Sequence, residues 1–272
     1  MRFYSKPTRH PSEGGYRATT STIQNKLPQP LKTLLAALFW LALWSLAALC
    51  VSQELILPSP LSVFRTLLEL GAEAQFWKAA YLSLLRIFGG FAVGLVLGSL
   101  LAILTARFEL ADALFSPAIR IVRATPVASF IILALLWMGH SLVPAFMAML
   151  MVMPVIWESL RAAILAVDPE LLEMAFIYRF SSWKTLKLVY LPSVLSPYAA
   201  SLTTALGLAW KSGIAAEVLC LPRLAIGTNL YYSKIYLETP SLFAWTIVVV
   251  LLSLILERLF ARLLLKGRKR TW

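Results

Sequence analysis

Charged side chains are scarce in this sequence. They make up 14% of its 272 residues, against about a quarter in soluble domains. Hydrophobic residues reach 60%, more apolar surface than a soluble core of this size could use. Cysteine is nearly absent. The two present, Cys50 and Cys220, lie inside apolar runs, which excludes a disulfide framework and a zinc set. There is no G-x-x-x-x-G-K-[ST] phosphate loop, so ATP chemistry would have to come from another chain. No repeat is visible, and no inverted self-similarity of the secondary-transporter kind. Disordered chains are poor in apolar and aromatic residues, so disorder is confined to the tails. What remains is an all-α, polytopic membrane protein.

Six stretches are long enough to span a bilayer, which takes about 20 mostly apolar residues. They run near Leu31–Val51, Ala79–Ala106, Pro117–Met138, Val143–Leu160, Ser193–Cys220 and Ser241–Leu264. Residues 1–30 read as a flexible tail, 31–264 as the transmembrane domain and 265–272 as a short basic tail. The first tail is too long for the n-region of a secretory signal. With the N-terminus in the cytoplasm, 19 Lys and Arg fall on the cytoplasmic side and 4 outside. Positive charge collects on cytoplasmic loops, so both termini are expected inside. The net charge of +12 then needs no nucleic acid. Lipid headgroups are its natural partner.

The fourth-to-fifth connection, residues 161–191, is too long for a simple turn. Asp168-Pro169-Glu170 has the residues of a helix start: a capping side chain, a proline at the first position and an acid at the positive dipole end. Leu171, Met174, Ala175 and Tyr178 then share one face at helical spacing. Ser181 can cap a second short helix from Ser182 to about Tyr190, with Leu191-Pro192 ending it. Such a loop either lies on the membrane interface or docks into a soluble partner.

The stretch LLEMAFIYRFSSWKTLKLVYLPSVLSPY resembles the cytoplasmic loop of binding-protein-dependent ABC importer permeases. That loop has Glu-Ala-Ala, three residues, Gly, about nine residues and a hydrophobic-Leu-Pro ending. Glu173, Ala175, Ser181, Trp183, Leu191 and Pro192 match. Met174 replaces the central Ala, and Arg179 stands at the family's Gly. Arg disfavours positive φ, so either the turn is built differently or the loop is more continuously helical. The resemblance runs from about Leu57 to Arg268, through LPSPLSVFRTLLEL, RATPVASFIILALLWMG and WKSGIAAEV, and is nearest to permeases for sulfonates, taurine, nitrate and thiamine precursors. It implies a type I importer fold of six spans and alternating access. It also implies a permease homodimer, two cytoplasmic ATPases that use ATP and Mg, and an extracellular or periplasmic solute-binding protein. The setting would be a bacterial cell membrane. The chain itself would hold no cofactor and no metal and would hydrolyse nothing.

Candidate side chains lie elsewhere in the spans. Gly90, Gly94 and Gly98 are spaced by four and suit close helix packing. Arg86 and Glu217 stand at similar depth and could pair, or could form a gate. Lys211 lies near mid-membrane, where it needs water or a counter-charge. It either lines a wet path for an anionic solute or pairs with an acid such as Glu158. Gly213 beside it could loosen the helix, and Pro126 and Pro154 should kink spans three and four. His140 reads as a solvated turn residue.

Two rivals are a stand-alone secondary transporter and a membrane-anchored interaction protein. The first should carry paired mid-membrane carboxylates and inverted repeats, and the sequence has neither. The charge split makes the topology testable. A single cysteine introduced at Lys184 should react with a membrane-impermeant maleimide only after cells are opened. Labelling from outside intact cells would reverse the orientation.

Overall fold

A computed structural model describes residues 28–268. The residues 1–27 and 269–272, which hold most of the two expected tails, lie outside the described residues. The described residues are helical, with no strand among them. Two units divide the chain, Met1–Leu43 and Trp44–Trp272. Helix α1 (Gln29–Val51) begins in the first unit, and its large apolar side chains there, Leu34, Leu38 and Phe39 among them, are exposed.

The second unit is built on three long helices. These are α3 (Ala74–Arg107), α6 (Val143–Leu165) and α9 (Leu191–Cys220). Their shared core holds Ile87 and Phe91 from α3, Val152 and Ile156 from α6, and Leu206, Ala209 and Trp210 from α9. Helix α11 (Thr239–Arg268) closes one side with Trp245 and Val248, and the Trp210 indole donates to its Val249 carbonyl at 3.1 Å.

The α3–α6 contact explains the glycine spacing. A Cβ on Gly90 would stand 2.0 Å from the Ala145 carbonyl oxygen; on Gly94, 2.7 Å from that of Met149; on Gly98, 2.6 Å from that of Met153. The four-residue period on α3 therefore meets the same period on α6. This is the ridge-on-ridge match that brings two helix backbones together. All three glycines pack within one chain.

Among the described residues four helices are apolar and long enough to cross a membrane: α1, α3, α6 and α11. The expected third span, Pro117–Met138, is not one helix. It is α4 (Glu109–Ala124) and α5 (Val127–Trp137), meeting at 107°. Thr125 is extended, as a residue before proline prefers, and Pro126 caps α5. A kink was expected there and a full break is found. Pro154, by contrast, sits inside an unbroken α6. Counting α4–α5 as one span gives five. Six are reached only by adding α9, whose Ser, Thr, Lys and Glu residues set it apart from the apolar four. Two further helices were not expected from the sequence: α2 (Pro60–Ala72) and α10 (Ile226–Ile235).

Gly90→Ala should lower the midpoint of thermal unfolding in detergent, because the backbone it meets cannot yield. Overpacking of this kind costs about 1–3 kcal/mol. Gly89→Ala is the control, since nothing stands within 4 Å of that Cβ. Equal melting of the two variants would contradict the close approach.

Candidate functional site

The 161–191 connection forms two short helices separated by a turn. Asp168 caps α7 (Pro169–Ile177), its carboxylate accepting from the Glu170 N–H at 2.9 Å. Ser181 caps α8 (Ser182–Thr185), its hydroxyl accepting from the Lys184 N–H at 3.4 Å. Between them Arg179 has φ 50°. The position of the family glycine thus keeps the left-handed turn, with an arginine in it. Left-handed backbone at a non-glycine residue costs about 1–3 kcal/mol, which the surroundings must offset. Here the Phe180 N–H closes the turn on the Ala175 carbonyl at 2.9 Å, and Phe180 packs on the small core of Val167, Ala175 and Val189.

Two expectations about this loop are corrected. The face that packs is Leu172 and Ala175, whereas Leu171, Met174 and Tyr178 are exposed. The spacing alone could not choose between the two overlapping apolar stripes of α7. Glu173, Phe176 and Ile177 line an open groove with Leu172 on the α7 surface, and Phe176 is 85% exposed. The second correction concerns Leu191-Pro192, which does not end a helix. A π-helical stretch, Leu186–Tyr190, joins α8 to α9 without a break. The Leu191 N–H reaches back to the Leu186 carbonyl. That wider turn is where a proline, lacking its own N–H, can enter a helix.

At the far end of α9, the structure brings together residues from three helices. Glu217 is fully buried. Its Oε2 accepts from the Ser83 hydroxyl at 2.8 Å and from the Gly227 N–H at 3.1 Å. Its Oε1 faces Arg86 Nη1 at 3.4 Å. The Ser83 hydroxyl in turn accepts from the Ile226 N–H at 3.0 Å. Arg86 Nη2 donates to the Arg223 carbonyl at 2.8 Å, and its Nη1 to that of Leu224 at 3.3 Å. A buried carboxylate is stable only when its lone pairs are engaged and a cation is near. Here those partners include free N–H groups at the start of α10, where an anion is favoured. The sequence pointed to Arg86 and Glu217. It hid Ser83 and Gly227, whose signals, a serine one turn before Arg86 and a glycine after an apolar pair, are common to many helix ends. Gly227 leaves no room for a side chain, since a Cβ there would lie 2.4 Å from that of Glu217.

Lys211 does not pair with the acid weighed for it from sequence. Glu158 pairs with Arg123 instead, and a second ion pair, Arg161 to Asp112 at 2.8 Å, also ties α4 to α6. Lys211 is exposed on a face of α9 shared with Thr204, Leu208 and Ala215. Among the described residues it has no hydrogen-bond or ion-pair partner. Gly213 does not loosen α9. It is buried, and its missing Cβ makes way for Ile87, whose Cγ1 would otherwise be 2.5 Å away. His140 is exposed in the turn before α6, and its Nδ1 meets the Cys220 carbonyl at the end of α9. Among the described residues there is no group of His, Cys, Asp and Glu fit to hold a metal ion.

Several apolar spans packed around a polar-striped helix, with a two-helix loop exposed at one end, are the features of a multi-pass membrane transport subunit. Residues 94–268 match the family described as the binding-protein-dependent transport system inner membrane component, and the chain belongs to that family. It is 25% identical over 244 residues to the aliphatic sulfonates transport permease protein SsuC of Bacillus subtilis, covering 88% of each chain. It is 25% identical over 242 residues to the riboflavin permease RibX of Chloroflexus aurantiacus, covering 86% of this chain and 88% of that one. The taurine permease TauC of Escherichia coli is 24% identical over 221 residues, with 79% and 80% covered. A solved amino acid ABC transporter shares the fold at TM-score 0.58 and 18% identity, covering 72% of this chain and 94% of that one.

Glu217→Ala should strand the Arg86 charge and the Gly227 N–H. Breaking a buried pair from one side costs about 3–5 kcal/mol, so a large fall in the melting midpoint is expected. Ser83→Ala, which removes one donor to that carboxylate and strands the Ile226 N–H, should cost less, about 1.5–3 kcal/mol. Comparable melting of Glu217→Ala and wild type would show that the network does not hold α10 in place.

Proposed function

We propose that the chain is the membrane subunit of an ATP-driven importer, bringing a small anionic or heterocyclic solute into the cell by alternating access. The observation that carries this reading is the α7–turn–α8 loop, which keeps its left-handed corner despite the arginine and leaves the groove around Glu173 open. An exposed apolar groove on a short helix suits a soluble partner. That partner would be a cytoplasmic ATPase, two copies serving a permease homodimer, and it would bind the ATP and Mg. An external solute-binding protein would deliver the cargo. The setting is a bacterial cell membrane, with both termini and the loop in the cytoplasm.

The class of solute follows from Lys211. An unpaired lysine at that depth is tolerated only beside water or a counter-charge, the translocon-scale penalty being roughly 2.5–3.5 kcal/mol. An exposed face of α9 whose lysine pairs with nothing among the described residues suits a wet path between two copies. Names of two of the relatives, for sulfonates and for taurine, agree with an acidic cargo. The remaining glycines, Gly90, Gly94 and Gly98, are packing residues in this reading, and Arg86 and Glu217 hold the outer end of the path.

The test uses the full complex in vesicles. Glu173→Lys should insert normally and lose roughly tenfold in ATP hydrolysis stimulated by the loaded binding protein, within the usual range of coupling between sites. Lys211→Met should assemble and lose uptake. Undiminished stimulation in the first variant removes Glu173 from coupling, and normal uptake in the second removes Lys211 from the path.

A further inference from the structure

A second polar feature lies at the end of α9 opposite the loop. The C-terminal end of α2, the start of α3, α10 and the start of α11 line an open pocket of about 210 Å³, in which Glu73, Tyr232, Tyr236 and Glu238 are exposed to solvent. At about 30 Å³ per water-sized group, it holds roughly seven heavy atoms. Two carboxylates line it, Glu73 and Glu238, and no lysine or arginine does. Among the described residues, neither carboxylate has an ion-pair or hydrogen-bond partner. Glu73 precedes α3 without capping it through its side chain.

The rest of the wall is aromatic and amide. Tyr232 and Tyr236 stack with centroids 6.0 Å apart and planes at 21°. The Phe76 and Trp245 rings, 4.9 Å apart, are both buried and close the inner wall. Asn229 adds a side-chain amide that bonds to nothing among the described residues. Ring faces attract cations, and two carboxylates repel anions. A small concave site of this size, part apolar and with a few fixed polar groups, has the make-up of a ligand pocket.

We propose that this cavity binds a small organic cation, an alkylammonium group, held by Glu73 and Glu238 with its carbons against Tyr232 and Tyr236. The group could arrive as a free amine or at the tip of a lysine on an external protein. Neither Lys211 nor α7 contributes, so this site stands or falls apart from the transport reading.

Isothermal titration of the full chain in detergent with n-butylammonium tests it, with 1-butanol as the neutral counterpart. Saturable binding of the amine alone is expected. The double variant Glu73→Gln/Glu238→Gln should weaken it by at least tenfold, and Tyr236→Leu by roughly fivefold. Glu69→Gln, outside the cavity, should bind as wild type, and melting curves confirm that each variant is folded. A lysine-containing peptide that binds more tightly than butylammonium assigns the site to a protein side chain, and the reverse order assigns it to a free amine. Equal binding of butanol and butylammonium, or an unchanged affinity in the double variant, overturns the proposal.

Discussion

The α3–α6 contact is the constraint on which the rest of the structure depends. Lipid tails are as apolar as leucine, so burial alone gives two spans no reason to adhere. Dispersion between closely spaced backbones must do it, and each contact is small, so many are needed. Gly90, Gly94 and Gly98 allow that approach over two full turns, against Ala145, Met149 and Met153. Once the pair is fixed, α9 has a groove to fill, and Trp210 and Leu206 fill it. Gly213 then repeats the device on a second face, against Ile87.

Charge is handled by the same logic. The Arg86–Glu217 pair is satisfied by groups from α3, α9 and α10, and so closes one end of the bundle. At the other end of the bundle, Arg123–Glu158 fastens α4 to α6 just before the span breaks, and Arg161–Asp112 does so at the start of α4. Exposed pairs of that kind contribute about 0–1 kcal/mol each. Their value lies in fixing the bent α4 against α6 more than in stability. Lys211 stands apart because nothing among the described residues neutralises it.

Much of this was legible in the sequence, for identifiable reasons. Apolar length gave the spans, because a bilayer imposes one. The loop caps Asp168 and Ser181 were readable because capping is local chemistry. The glycine period was readable as packing, though not its partner, since which helix meets a stripe is a tertiary matter. Failures came where two local rules competed. Pro126 could kink or break a helix, and the preceding Thr125 settled it as a break. Pro192 reads as a terminator, but a π-helical stretch absorbs its missing N–H. The α10 helix was hidden because its start is capped from far away in sequence, by Glu217 and Ser83.

The continuity of α8 with α9 has a mechanical consequence. From Ser182 to Cys220 the chain is helical without a break, a length of roughly 55–60 Å at 1.5 Å per residue. Lys211, Gly213 and Glu217 all lie on it, in that order. An extended hinge at Leu191-Pro192 would have separated the loop from these residues. Instead the π-helical stretch, with Pro197 shortly after it inside α9, is the irregular part of that length, and π-bulges and prolines are where helices bend. Arg179, in a strained left-handed turn, is the other soft point, on the α7 side of α8. A push on α7 therefore meets yielding positions at Arg179 and between residues 186 and 197 before it reaches the part of α9 that carries Lys211. Whatever displacement survives them acts on the Lys211 face and on the Glu217 clasp together, because one helix carries both.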